Sequence, residues 1–78
     1  MMDYIVLDIE SPNSRGNSIC AIGLLTIRNG EIADRRYSLI NPEDRFDRNN
    51  SAITGITESM VLYSPTFPVY WEQIRDIV

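Results

Sequence analysis

The chain has 78 residues, 44% of them hydrophobic and 23% charged, which is the composition of one small globular domain rather than of a disordered segment. Eleven acidic residues against seven basic ones, all arginine, leave a net charge of −4. That balance excludes a nucleic-acid binder built on a broad basic patch, so any contact with phosphate would have to run through metal ions. One cysteine and no histidine exclude disulfide staples and zinc-finger sites, and a chain this short is expected to be only marginally stable by itself.

Residues 3–9 are β-branched and aromatic with few polar interruptions, which predicts a central strand covered on both faces, ended by Ser11-Pro12-Asn13-Ser14 and Gly16. Residues 18–28 and 31–40 read as a second and third strand. They are joined at Asn29-Gly30, the dipeptide that supplies the positive φ angles of a tight hairpin. Gly23 interrupts the second strand, as a bulge, a point of close backbone approach, or simply a tolerated glycine. Cys20, within Ile19-Cys20-Ala21-Ile22, reads as a small buried thiol rather than a nucleophile, which suits a reducing cytoplasm.

After Asn41-Pro42 a polar loop, residues 43–50, leads to Ser51-Ala52-Ile53-Thr54-Gly55. Ser51 is expected to cap a short helical turn that Gly55 closes, and Thr57 to cap a second turn through Val61 and Leu62. Thr66 then caps a longer helix whose apolar residues recur at 67, 70, 71, 74, 77 and 78, with the chain stopping within or at the end of it. No charged leader followed by a long apolar run is present, and no stretch approaches about 18 apolar residues. The expectation is a soluble, cytoplasmic protein without membrane association.

Asp8 and Glu10 carry the chemistry. They end an apolar strand two residues apart, so their side chains leave the same face, where two anionic groups can share divalent cations. The bland alternative is a pair of solvent-facing acids at a strand end. With no histidine, a site begun here would be completed elsewhere. The first strand also wants a neighbour on each edge. In an α/β fold the element after the longer helix would be a strand parallel to the first, reached by a right-handed crossover.

Five segments in order, Tyr4-Ile5-Val6-Leu7-Asp8-Ile9-Glu10-Ser11, Ile19-Cys20-Ala21-Ile22-Gly23, Ile40-Asn41-Pro42, Ile53-Thr54-Gly55-Ile56-Thr57-Glu58-Ser59-Met60-Val61 and Ser64-Pro65-Thr66-Phe67, resemble the N-terminal half of the DEDD 3'-5' exonucleases, the group of ribonuclease T and the proofreading subunit of the bacterial replicative polymerase. The resemblance implies a ribonuclease H-like α/β fold, a mixed sheet flanked by helices. That fold would be incomplete here, with three N-terminal strands, short helices and one longer helix. Residues 1–78 would be the N-terminal part of a single exonuclease domain.

The resemblance also implies two-metal hydrolysis of the terminal phosphodiester at the 3' end of single-stranded DNA or RNA, with Mg²⁺ or Mn²⁺. Asp8 would bind both ions, and Glu10 would bind one and lie near the terminal 3'-hydroxyl. Ser11 stands where relatives usually carry threonine, a position that meets the terminal nucleotide, although a turn-forming serine serves as well. Ile53 and Gly55 lie in a segment that borders the substrate groove, although a purely structural helix-turn would use them too. Ala21 and Pro12-Asn13 depart from the family pattern and bear on substrate choice.

Two further aspartates and a histidine or tyrosine general base would come from motifs downstream of a helix like residues 67–78. Without them the segment is expected to be truncated and inactive. The alternative is a non-catalytic, exonuclease-like interaction module that pairs or swaps through its open sheet edge, as a homo-oligomer or with a partner.

Overall fold

The computed structural model describes residues 3–78. Three strands, β1 (Tyr4–Glu10), β2 (Ala21–Arg28) and β3 (Glu31–Leu39), form an antiparallel sheet in the order β1-β2-β3. Two helices follow, α1 (Arg48–Thr54) and α2 (Phe67–Ile74), separated by a 3₁₀ turn at Glu58–Val61. The expected α/β architecture is what the chain adopts. Among the described residues the sheet is antiparallel throughout, so the parallel neighbour expected for β1 is not among them.

The hairpin between β2 and β3 turns where Asn29-Gly30 predicts, with φ of 54° at Asn29 and 79° at Gly30. Its register slips by one residue at Ala33, because Thr26 pairs with Asp34 and Ile27 with Ile32. The irregularity therefore sits on β3, while Gly23 pairs regularly with both Asp8 and Tyr37. Residues 18–20, expected within the second strand, run up to it: the Cys20 N–H donates to the Glu10 carbonyl at 2.8 Å, and the Cys20 carbonyl accepts from the Ile40 N–H at 2.8 Å.

Strand alternation divides the sheet into two faces. On one, Ile22 and Leu24 of β2 pack with Ile40 and with Tyr70 and Ile74 of α2, and Ile5 and Ile19 lie against them. Burying each such side chain stabilises the fold by about 1.5–3 kcal/mol, so α2 is held by its apolar stripe more than by its eight-residue length. Phe67 and Trp71, one turn apart on α2, bring their rings to 6.0 Å. On the other face Cys20 and Ala21 pack with Ile56 and Val61, flanked by Leu39 and Phe46, so the segment after α1 closes the Glu10 end of that face.

Three expectations are corrected. β1 is an edge strand with Tyr4, Val6, Leu7 and Ile9 exposed, because no described element pairs with its outer side. α1 starts at Arg48 with Asp47 as its N-cap, and Ser51 lies inside it. The early start follows from a tertiary tie: the Asp47 N–H donates to the Pro12 carbonyl at 2.8 Å, which anchors extended backbone at Asp47. Gly55 does close the helix, at φ 78°, donating its N–H to the Ser51 carbonyl at 2.8 Å. The longer helix ends at Ile74 rather than running to residue 78, since the Ile77 N–H folds back to the Ile74 carbonyl at 2.9 Å in a tighter turn. Thr57 and Thr66 take the N-cap positions expected of them, neither with a side-chain cap bond.

Candidate active site

Asp8 and Glu10 occupy the last turn of the pleat in β1, opposite Gly23 and Ala21 of β2. Directly paired residues share a face, so both carboxylates stand on the face away from α2. Gly23 carries no side chain, and the space beside Asp8 is therefore open toward the middle of the sheet. A Cβ at Gly23 would meet the Tyr37 Cδ1 at 3.8 Å, the Asp8 carbonyl at 3.9 Å and the Arg36 carbonyl at 4.0 Å, ordinary contacts. Asp8 is exposed and Glu10 half-buried. Neither carboxylate lines one of the two concavities described: an open one of about 840 Å³ lies near Asp3, Arg28 and Asp76, and a smaller apolar one near Leu7, Ile9, Ile22 and Phe67.

The turn after β1 is held by a polar clamp that composition did not reveal. Asn13, only 2% exposed, donates from Nδ2 to Asp44 Oδ2 at 3.0 Å and to the Arg45 carbonyl at 2.9 Å, and its Oδ1 accepts from the Arg15 N–H at 3.0 Å. The Ser18 hydroxyl donates to the same Asp44 oxygen at 2.8 Å. Asn50 Nδ2 in α1 donates to the Ser11 carbonyl at 3.3 Å. Together with the Asp47–Pro12 bond, these contacts bring α1 alongside the segment that directly follows Glu10.

Of the five residues singled out from the sequence, Asp8 and Glu10 share one face of the sheet, whereas Ser11 lines the smaller apolar concavity with Leu7, Ile9 and Phe67. Asp8, Glu10 and Ser11 lie within one four-residue stretch of the chain. Gly55 ends the helix tied to Ser11, and Ile53, 84% exposed, projects from that helix into solvent. Asn13 and Asp44 were missed. Asn13 sits in a segment readable only as a turn, and its partner lies 31 residues away.

The bonds from Asn13 and Ser18, then that from the Arg45 N–H, hold the Asp44 carboxyl down at about 2, below the usual carboxylate range. A depressed folded-state value stabilises the fold above the ordinary aspartate range and loses that contribution as pH falls toward 2. The unfolding midpoint is therefore expected to drop between about pH 4 and pH 2. Asp44→Ala should flatten that part of the profile; an acid limb unchanged by the substitution would show that the clamp contributes nothing. Burial, and then the charge of Glu10, push the Cys20 thiol up, so it stays protonated as the buried thiol expected.

Two carboxylates offer hard oxygen donors of the kind Mg²⁺ or Mn²⁺ accepts, but too few to fill a coordination shell of about six. Among the described residues no group of three or more acidic, histidine or cysteine side chains gathers to hold a metal. No described helix is long and apolar enough to cross a membrane.

The first strand of the antiparallel sheet thus ends in two carboxylates on one face. The chain belongs to the exonuclease family whose model, RNase_T, matches residues 5–78. It is 37% identical over 60 residues to a PolC-type DNA polymerase III of Thermotoga petrophila, and 32% identical over 78 residues to that of Clostridium perfringens. It is 27% identical over 78 residues to the 3'-5' exonuclease DinG of Bacillus subtilis. These matches cover 74%, 97% and 96% of this chain but only 4%, 5% and 8% of the respective relatives. Exonuclease X, solved in complex with 5' overhanging duplex DNA, superposes with a TM-score of 0.82 at 25% identity, over 88% of this chain and 41% of that one.

Proposed function

We propose that residues 1–78 form the N-terminal part of a single DEDD-type 3'-5' exonuclease domain, with Asp8 and Glu10 as its first two metal-holding carboxylates. The observation that carries this proposal is their shared face at the end of β1, beside the side-chain-free position at Gly23. The family membership supports it. When bound, Mg²⁺ or Mn²⁺ would activate water for attack on the terminal phosphodiester and stabilise the leaving oxygen. Asp8, the more open carboxylate, faces the reacting phosphate from the strand, and Glu10 sits closer to the Ser11 turn, where the 3'-terminal nucleotide would lie. The Ser11 backbone and hydroxyl, with Ile53 and Gly55, border that nucleotide. The substrate class is a single-stranded DNA or RNA 3' end, in the cytoplasm.

By itself the segment is short of negative charge: two ions bring +4 and the two carboxylates −2. Metals should bind weakly, and purified chain incubated with Mn²⁺ and a 3'-labelled single strand should show no trimming above background. Robust trimming would overturn the expectation of an inactive segment. The assignment of the carboxylates is tested separately, by titrating Mn²⁺ into isotope-labelled protein. Paramagnetic broadening should centre on Asp8, Glu10 and Gly23, and broadening centred anywhere else would remove its basis.

A second reading is favoured by the exposed outer edge of β1, where Leu7 is 56% and Ile9 48% exposed. In that reading the chain is an interaction module that pairs through this edge with a partner or a second copy. A mass that rises with concentration in sedimentation would support it, and a strictly monomeric chain at high concentration would exclude self-pairing.

A further inference from the structure

The row across the sheet at Asp8 does not stop at Gly23. Gly23 pairs on its other side with Tyr37 of β3, so carboxylate, glycine and phenol follow one another on a single face, with neighbouring strands about 4.8 Å apart. The Tyr37 ring leans over Gly23, its Cδ1 lying 3.8 Å from where a Cβ would be. Yet Tyr37 remains 65% exposed, so much of its surface is free. Two residues earlier on β3, and therefore on the same face, is Arg35, paired with Leu25, which in turn pairs with Val6. Arg35 is exposed, and it takes part in none of the ion pairs or side-chain hydrogen bonds among the described residues, whereas Arg36, on the opposite face, is engaged with Asp34 at 3.1 Å. At the Glu10 end the face is closed by Ile56 and Val61 packed on Ala21.

Taking Asp8 and Glu10 as the metal-holding carboxylates proposed above, we infer that Tyr37 and Arg35 are substrate-binding residues for the single strand that leads away from the 3' end. A base stacks on the free surface of the Tyr37 ring, and Arg35 meets a phosphate further along. An aromatic ring next to an uncommitted cation, in the row of the sheet that carries Asp8, is the combination that holds single strands without sequence preference. It also supplies locally the positive charge that an acidic chain with no broad basic patch otherwise lacks.

The test titrates dT₄ into the full chain with diamagnetic Mg²⁺, followed by NMR at the Tyr37 ring and Arg35 side-chain resonances, with Mn²⁺ broadening read in a separate sample. dT₄ should shift the Tyr37 ring and the Arg35 side chain. Tyr37→Leu, which keeps an apolar cover on Gly23, should weaken binding about tenfold, Tyr37→Phe should leave it within about twofold of the starting protein, and Arg35→Gln should weaken binding and lower its salt dependence. Broadening by Mn²⁺ around Asp8 and Glu10 with Tyr37 and Arg35 silent to dT₄, or equal dT₄ affinity for Tyr37→Leu, would overturn this inference and leave the carboxylate assignment standing. Absence of Mn²⁺ broadening at Asp8 and Glu10 would instead remove the assignment on which both rest.

Discussion

Asp8→Asn is expected to abolish the Mn²⁺-induced broadening at the end of β1 while leaving the fold intact. The substitution keeps the size of the side chain but removes one of only two anionic groups on that face, and a divalent ion held by a single carboxylate is too weakly bound to compete with water. Stability should not fall, and can rise slightly, because Asp8 and Glu10 repel each other when no cation lies between them. In any longer chain that completes the domain, the same change should lower the rate of 3' hydrolysis about a thousandfold or more, since metal stabilisation of the transition state is worth several kcal/mol and each 1.36 kcal/mol is tenfold. Mn²⁺ bound equally well by Asp8→Asn would end the assignment of Asp8 as a ligand.

Ile74→Ala should leave the chain largely unfolded. Ile74 is 1% exposed and closes the cluster of Ile22, Leu24, Ile40 and Tyr70, so its truncation costs about 2–5 kcal/mol through lost burial and a cavity. A core in a chain this size rarely supplies more than about 3–5 kcal/mol of net stability. Urea unfolding followed by far-ultraviolet circular dichroism should show the midpoint moving to little or no denaturant. Ile53→Ala is the control: on an exposed helix position it should change stability by no more than about 0.5 kcal/mol. A cooperative Ile74→Ala transition at the original midpoint would mean that α2 contributes little to the core.

What was legible beforehand follows from how local each signal is. The hairpin at Asn29-Gly30 and the left-handed close at Gly55 each depend on a few adjacent residues whose backbone chemistry admits one solution. Sequence alone places the start of α1 at Ser51, because the decisive contact, from the Asp47 N–H to the Pro12 carbonyl, joins segments far apart in the chain. The clamp of Asn13, Ser18 and Asp44 was hidden for the same reason, since polar residues in two loops give no periodic pattern to read. β1 was expected to be covered on both faces from its apolar composition. That composition records what the strand is suited to pack against, whereas exposure depends on what is present to pack.

The outer rim of β1, unpaired among the described residues, has a consequence for solubility. An edge rich in Val6, Leu7 and Ile9 offers free backbone groups to any other extended chain, and such edges are kept from zipping together mainly by charge. Asp8 and Glu10 are the only charged residues within that strand. Two copies brought edge to edge in antiparallel register about Leu7 would set their aspartates on a diagonal of one face, where repulsion disfavours that register. The carboxylates that invite a cation are then also the guards of the rim. If Asp8 and Glu10 hold a cation as proposed, an ion that neutralises them would remove the guard, so added metal would favour self-association.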